Sequence, residues 1–197
     1  ILGGFSGKVG TVSGYTRYGK NIMRSAVSQV NDKATPLRLA QREKVKLCNC
    51  FMHAFTGTGF FSKTFPNYGH GGSGYNRAMG ILLNKAIYGV YPGFSIDYGK
   101  FLISNGPLPE AADATATVLP TRDILFTWAN NTNDGTAKAS DRAVLLACFP
   151  KEQQIIFNLD AATRSTGEFI LSTASMHGKI AETWIGFLSH DEMLAAN

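Results

Sequence analysis

The sequence predicts an α+β fold in which a β-hairpin and two helices precede an antiparallel β-sandwich. Apolar residues recur at helical spacing in residues 36–55 and 75–88 and at a spacing of two from about residue 94 onwards. The chain also has 21 glycines, 13 phenylalanines and 7 tyrosines, which favour turns and sheets over a helical bundle. A charged fraction of 17% is too low for a disordered chain.

A glycine-rich β-hairpin is predicted for residues 7–25. Every second residue from Val9 to Tyr15 would lie on one face of its first strand. The segment 17–20 contains a glycine that supplies the positive φ of a tight turn, and residues 22–24 form the return strand. Because an isolated hairpin is only marginally stable in water, we expect this one to pack on another element.

Two helices are predicted after the hairpin. Thr35 suits the N-cap of a helix over residues 36–55, and Pro36 suits its first position, where no N–H partner is needed. Glycines at 57 and 59 end this helix, and residues 57–74 are expected to be irregular. A second helix is predicted over residues 75–88, where apolar residues form an i, i+3, i+4, i+7, i+8 stripe.

Seven short strands are predicted beyond the second helix, separated by turns rich in Asn, Gly and Pro. They cover residues 95–97, 100–104, 124–128, 143–149, 155–159, 168–171 and 182–188. Such strands at such spacing are typical of a β-sandwich. Residues 106–113, part of a proline- and alanine-rich stretch that runs to residue 117, are predicted as a linker. The linker separates an N-terminal hairpin and helical region (1–105) from a sandwich domain (114–197).

Positive charge is concentrated near the start of the chain. The net charge is +5, and residues 8–46 contain nine Lys and Arg against two acids, a local balance of +7. Such a segment could bind nucleic acid, an anionic membrane or an acidic partner, and its cations lie among tyrosines that suit base stacking. The same pattern also fits a solvated strand pair. The candidate anion- or partner-binding residues are Lys8, Arg17, Lys20, Arg24, Arg38 and Arg42.

The cysteines do not form a recognisable metal or disulfide motif. Cys48, Cys50 and Cys148 are odd in number and lack a spacing pattern, so we expect free, mostly buried thiols. Cys50 and His53 could share one helix face, but a structural zinc site normally needs four ligands. No metal is therefore expected.

No catalytic residue is expected either. The four histidines lie in no nucleophile motif such as GxSxG, and no pair of carboxylates suggests acid–base work. The histidines are His53, His70, His177 and His190. A triad formed in space stays open, but no residue favours one.

Residues 69–74 read Gly-His-Gly-Gly-Ser-Gly, which matches GxGxxG ahead of a predicted helix. A dinucleotide site would need a buried strand directly before this motif and a parallel sheet around it. Residues 62–68 contain Pro66 and do not make a convincing buried strand, and there is no Walker A lysine. A flexible glycine loop is the simpler interpretation, so no cofactor and no small-molecule substrate are expected.

The sequence leaves the location of the protein open. No apolar run approaches the roughly 18 residues that span a bilayer. No signal peptide is visible, and the chain begins at Ile1 rather than Met, so a leader was removed or the sequence is trimmed. A soluble protein at a virion or cell surface is expected, with the cytoplasm as the alternative.

Short motifs are spread along nearly the whole chain: residues 3–10 (GGFSGKVG), 19–20 (GK), 23–25 (MRS), 35–36 (TP), 40–42 (AQR), 45 (V), 91–92 (YP), 96–98 (IDY), 104–109 (SNGPLP) and 126–128 (FTW). In this order they resemble the motifs of a family of uncharacterised Bacteroidota proteins. The resemblance implies no established activity. It implies a C-terminal half similar to immunoglobulin or fibronectin type III modules. It also implies a longer chain with a last strand past Asn197, or else an open sheet edge that invites strand addition.

Together these features favour a non-catalytic structural or assembly protein. It would be a subunit of a virion, filament or surface assembly that acts by self-association or by contacts with other protein subunits. The alternative is a nucleic-acid-binding protein that uses the basic hairpin and the first helix.

Overall fold

The computed structural model describes residues 4–17, 19–26, 34–67 and 72–196 of the 197-residue chain. Helices and antiparallel sheets are mixed along it, which confirms the predicted class at that level. The chain divides into two compact units, Ile1–Pro36 and Leu37–Asn197. The independent domains predicted for residues 1–105 and 114–197 stay a prediction.

Three antiparallel strands form the N-terminal sheet: β1 (Gly7–Val9), β2 (Val12–Arg17) and β3 (Lys20–Ser25). The predicted turn between β2 and β3 is confirmed, with Gly19 at a φ of 73°. The prediction of one simple hairpin is wrong, because an earlier turn begins at Gly10. The φ of Gly10 is 59°, a left-handed value that glycine adopts readily. The apparent alternation from Val9 to Tyr15 therefore spans a turn.

Three helices follow: α1 (Pro36–His53), α2 (Phe60–Thr64) and α3 (Gly74–Ile81). The first predicted helix is confirmed and ends two residues early. The segment expected to be irregular contains α2, because Phe60 and Phe61 are buried and tertiary contact outweighs the flanking glycines. A π-helix over Leu82–Ala86 continues α3.

A short hairpin replaces the end of the second predicted helix. It consists of β4 (Ile87–Val90) and β5 (Gly93–Ile96), which pair in antiparallel register. Ile87 continues the helical stripe in the sequence but pairs with Ile96 in the structure. Helical geometry ends at Ile87, whose φ of −88° and ψ of 128° are those of extended backbone. The predicted strand 95–97 overlaps β5 only in part.

Seven strands follow in the C-terminal half: β6 (Ala112–Val118), β7 (Ile124–Ala129), β8 (Arg142–Phe149), β9 (Gln154–Asn158), β10 (Glu168–Leu171), β11 (Glu182–Leu188) and β12 (Ala195–Ala196). They form a three-stranded sheet in the order β10-β7-β6 and a four-stranded sheet in the order β12-β11-β8-β9. Every neighbouring pair is antiparallel. The five strands predicted between residues 124 and 188 are confirmed.

Two segments of this half differ from the prediction. The strand predicted over residues 100–104 is absent, since Phe101 and Ile103 are buried in an extended segment that joins no sheet. The alternation of Phe101 and Ile103 in the sequence therefore reflects the burial of their side chains, although this segment pairs with no strand. Conversely, β6 begins at the end of the predicted linker and continues into residues where no strand was predicted, because alanine alternating with threonine offers no large apolar side chain.

Strand β8 organises the packing of the larger unit, because both of its faces are buried. Ala143, Leu145 and Ala147 join a cluster with residues of the three-stranded sheet, such as Phe126. Val144 and Leu146 point to the other side and join a second cluster with residues of the helices. Burial on both sides explains why β8 is a continuous apolar run.

The helical cluster is built mainly from phenylalanine rings. Phe55 and Phe61 lie 4.8 Å apart between ring centroids, and Phe60 and Phe61 lie 5.2 Å apart and nearly perpendicular. These are favourable aromatic geometries. None of the helices in the described ranges has both the length and the apolar character needed to cross a membrane.

Candidate functional site

Four of the six candidate cations lie on one face of the N-terminal sheet. Residues directly opposite each other on antiparallel strands point to the same side, and side chains alternate along each strand. The register aligns Lys8 with Ser13, and Ser13 with Arg24. It also pairs Arg17 with Lys20, and residue 17 lies an even number of positions from residue 13. All four cations therefore project from the same face.

An aromatic and aliphatic row separates two rows of cations on this face. Tyr15 pairs with Ile22 at its centre. Successive rows are about 7 Å apart, because an antiparallel strand rises about 3.4 Å per residue. The guanidinium carbon of Arg24 lies 5.7 Å from the centroid of the Tyr15 ring, within cation–π range. We call this surface the basic face, defined by Lys8, Tyr15, Arg17, Lys20, Ile22 and Arg24.

The strand residues of the opposite face are uncharged. Gly14 is buried there, and a Cβ on it would lie 2.5 Å from the carbonyl oxygen of Phe5. Phe5 therefore packs directly against the backbone, which requires glycine at this position. Val9 and Met23 on the same side are 65% and 67% exposed. The described cations of the sheet therefore all lie on one of its two faces.

The charge of the basic face is positive without a nearby acid in the sequence. The first 31 residues contain four Lys and Arg and no Asp or Glu. All four cationic residues are exposed. Cations gathered on one face raise the local positive potential and attract phosphate or carboxylate groups. The arrangement can therefore hold an anionic partner through several simultaneous contacts.

The other two candidates, Arg38 and Arg42, lie on α1. They are four positions apart, so they occupy one side of the helix, and both are exposed. They belong to the larger compact unit, whereas the basic face belongs to the smaller one. The predicted set is therefore divided between a sheet and a helix. Tyr18 and Lys33, from the same basic stretch, lie outside the described residues.

The glycine motif at 69–74 is described only in its last three residues, since 69–71 lie outside the described ranges. Ser73 is the N-cap of α3, and its hydroxyl accepts a hydrogen bond from the Asn76 N–H at 3.2 Å. A Cβ on Gly74 would lie 1.8 Å from the carbonyl oxygen of Phe61. The preceding described element is helix α2, where a dinucleotide site requires a strand. These contacts explain Ser73 and Gly74 by capping and close packing.

The three cysteines are free thiols, as predicted. Cys48 and Cys148 are buried, and burial raises the pKa of both, that of Cys148 to about 12. Both thiols therefore stay protonated near neutral pH. Cys50 is exposed, and its Sγ accepts a hydrogen bond from Gln153 Nε2 at 3.3 Å. Within the described ranges, no three His, Cys, Asp or Glu side chains are grouped as metal ligands would be.

None of the three described histidines has a hydrogen bond to a nucleophilic side chain among the contacts of the described residues. His53, His177 and His190 are exposed, and His70 lies outside the described residues. His190 borders a groove of about 250 Å³ together with Ser189 and Asp191. The Ser189 hydroxyl donates its hydrogen bond to Asp191, not to the imidazole. The expectation of no catalytic residue stays a prediction.

A buried ion pair is the main polar feature that the sequence did not indicate. The side chains of Arg164 and Asp141 are 0% and 1% exposed, and Nε lies 3.2 Å from Oδ2. The guanidinium also donates to Asn131 Oδ1 at 2.6 Å and to the carbonyl oxygen of Pro109 at 3.0 Å. Its central carbon lies 3.7 Å from the ring centroid of Phe187. These contacts hold three loops against the sheets. The residues that make them are too far apart in the sequence to form a motif.

Strand β6 is a second feature that the sequence missed. It is a free edge of its sheet, and every residue from 113 to 118 is exposed. Ala116 and Val118 point inward because they pair with the buried Phe126 and Ile124, yet Val118 is 74% exposed. Both border a groove of about 380 Å³. The lining of this edge groove includes the apolar residues Ala116, Val118, Ile124 and Phe149 and the cationic residues Arg122 and Lys179.

The fold and these surfaces define a chain of mixed helices and antiparallel sheets with a basic face on its N-terminal sheet. The chain belongs to DUF6266, a family of unknown function whose model matches residues 4–197. The match confirms that the resemblance extends over nearly the whole chain and carries no established activity. No curated protein and no solved structure matches the chain.

Proposed function

We propose that this protein is a non-catalytic assembly subunit that self-associates through the exposed edge of its β6 strand. The single observation that supports this proposal most is the exposure of β6 on both of its faces. An uncovered edge presents unpaired backbone N–H and C=O groups to any strand that approaches it. A second copy of the chain would satisfy these groups by antiparallel strand addition.

The composition of β6 favours such pairing. Natural edge strands are commonly protected by lysine, proline or an inward-pointing charge. Residues 114–118 contain none of these and consist of Ala, Thr and Val. The bulge between Ala112 and Thr115, where Asp113 has a φ of 49°, disturbs only the start of the strand. The remainder is a regular, small-residue edge.

The edge groove adds an apolar component to the proposed contact. The buried Phe149 and the inward-pointing Ala116 and Val118 all line it. An added strand would place every second side chain into this groove. Burial of apolar surface there would contribute about 25 cal/mol for each Å² removed from water.

We infer further that the C-terminal half is a sandwich of the fibronectin type III or immunoglobulin kind. Seven antiparallel strands in sheets of three and four support this interpretation. Trp128 of one sheet also packs against Phe187 of the other, with ring centroids 6.0 Å apart. The sandwich and the glycine-rich N-terminal strands support a place at a virion or cell surface, and the motif resemblance supports an origin in Bacteroidota.

The test is the oligomeric state measured by size-exclusion chromatography with light scattering over a range of concentrations. We expect the wild-type chain to form dimers or larger oligomers. Ala116→Lys should shift it to monomer, because an inward charge would be buried without a partner at the new edge. Thr117→Lys is the matched control, since Thr117 pairs with Leu125 on the outer face. A wild-type chain that is strictly monomeric at high concentration would contradict the proposal.

A further inference from the structure

We propose that the basic face of the N-terminal sheet binds single-stranded nucleic acid, in addition to the assembly role of β6. Backbone phosphates would contact the two rows of cations, and a base would stack on Tyr15. The inference rests on surfaces in the smaller compact unit and does not depend on how the larger unit self-associates.

The two rows of cations suit a chain of phosphates. Lys8 and Arg24 lie two strands apart in one row, which is about 10 Å at the usual strand spacing. Arg17 and Lys20 form the second row, about 14 Å from the first along the strands. A phosphate backbone that crosses this face would meet cations on entering and on leaving it.

The central row supplies the contact that phosphate alone cannot provide. Tyr15 is half-buried between the cation rows and presents an aromatic ring beside Ile22. Bases stack on aromatic rings with little regard to sequence, since every base has a π-face. Arg24 lies over the same ring and has a planar guanidinium, which also stacks on bases.

A single strand fits this face better than a duplex, a membrane or an acidic protein. Duplex bases are already stacked on each other, so Tyr15 would have no free base to contact. A lipid surface and an acidic protein would use the cations but give no role to the ring between them. Cations around a half-buried aromatic side chain on a sheet match the features of general single-strand binding surfaces.

The experiment is fluorescence anisotropy of the full-length chain with labelled oligonucleotides of one length, single-stranded and duplex. We expect single-stranded binding to be the tighter of the two. Four phosphate contacts predict a slope of about −3 for log affinity against log salt on a single strand. Affinity should therefore fall about 50-fold between 50 and 200 mM salt. Absence of binding at 50 mM salt would overturn the proposal.

Charge-matched variants separate the basic face from net charge. Lys20→Gln and Asn21→Asp each lower the charge by one at adjacent positions on opposite faces. Asn21→Asp also keeps the oxygen that accepts a hydrogen bond from the Thr16 hydroxyl at 3.0 Å. We expect Lys20→Gln to weaken binding roughly five- to tenfold at 50 mM salt and Asn21→Asp to weaken it less than twofold. Equal losses would assign binding to overall charge and overturn the role of the face.

A ring-specific pair tests the stacking. Tyr15→Ile keeps strand propensity and removes the aromatic surface, whereas Tyr15→Phe keeps the ring. Tyr15→Ile should weaken single-strand binding by roughly 5- to 150-fold, and Tyr15→Phe by less than twofold. Binding to heparin, a polyanion without bases, should be equally strong in both variants. If heparin and the oligonucleotide lose affinity equally in Tyr15→Ile, or if the duplex binds as tightly as the single strand, the proposal is wrong. Far-UV circular dichroism of each variant verifies the fold.

Discussion

The N-terminal sheet and the sheet around β8 are built on opposite principles. In the N-terminal sheet, Gly14 is the only described strand residue that is buried, and the charges are gathered on one side. In β8, seven of eight residues are buried, and the apolar side chains alternate between two clusters. Burial makes β8 the element that holds the larger unit together. Exposure leaves the N-terminal sheet available for contacts with other molecules.

The comparison shows that the same residue type does different work in the two regions. Arg164 is fully buried and joins loops through an ion pair and hydrogen bonds. Arg24 is exposed and lies over an aromatic ring on a solvent-facing surface. Removing the first should cost stability, and removing the second should cost binding.

The largest expected effect comes from replacing each of these arginines with methionine. Arg164→Met would leave the Asp141 carboxylate buried without its ion-pair partner, so the free energy of unfolding should fall by about 3–5 kcal/mol. Arg24→Met should change it by less than about 1 kcal/mol, because an exposed cation–π contact contributes little. Urea unfolding followed by circular dichroism measures both. Similar losses in the two variants would contradict the contrast between the regions.

A smaller effect is expected from two glycines of the same helix. Gly74→Ala would place a Cβ 1.8 Å from the Phe61 carbonyl oxygen, so α2 and α3 must separate, at a cost of roughly 1–3 kcal/mol. Gly80→Ala meets no heavy atom within 4 Å and should stabilise α3 by about 0.5–1 kcal/mol. Thermal unfolding of the two variants would separate a packing role of the motif from a flexible loop. Opposite shifts are expected, and a neutral Gly74→Ala would show that the close approach is unimportant.

The smallest effect is on the pH dependence, which should also differ between the two regions. In the larger unit, hydrogen bonds hold the pKa of three carboxyls below their usual values. The donor with the largest effect is the Thr173 N–H for Asp123, the Ser189 hydroxyl for Asp191 and the Arg142 guanidinium for Glu192. A lowered folded-state pKa stabilises the fold above the unfolded pKa of about 4, and this stabilisation is lost as the pH falls through the folded value.

The urea midpoint of the larger unit should therefore drop between about pH 5 and pH 3. Asp123→Asn should flatten this dependence. Residues 1–31 contain no carboxylate side chain and no histidine, so amide chemical shifts of β2 should stay constant from pH 7 to pH 4. A pH-independent midpoint, or β2 shifts that follow the transition of the larger unit, would contradict the contrast.

Local patterns in the sequence predicted most elements whose identity depends on neighbours in the chain. The cap residues Thr35 and Pro36 located the start of α1. Turn residues and alternation located β10 and β11 with both boundaries correct. Predictions from local patterns were wrong where a contact between residues distant in the sequence outweighs the local pattern. Phe60 and Phe61 form a helix beside glycines because their rings are buried in the core.

The candidate site was predicted in its residues but not in its arrangement. The cations were recognised by charge alone, and their common face depends on the turn at Gly10, which brings Lys8 opposite Ser13. No pattern in the sequence indicated that β6 is an edge strand, because alanine and threonine in alternation resemble a polar linker. No pattern indicated the ion pair of Arg164 and Asp141 either, since only folding brings these residues together.

By itself, the sequence of this protein determined the mixture of helices and strands, the concentration of positive charge near the start and the free state of its thiols. These properties follow from composition and from spacings of a few residues, which act locally. The tertiary structure alone decided which strand forms an open edge, which arginine is buried and which cations share one face. Such properties depend on pairing between segments, and pairing is selected by the burial of apolar side chains across the whole unit.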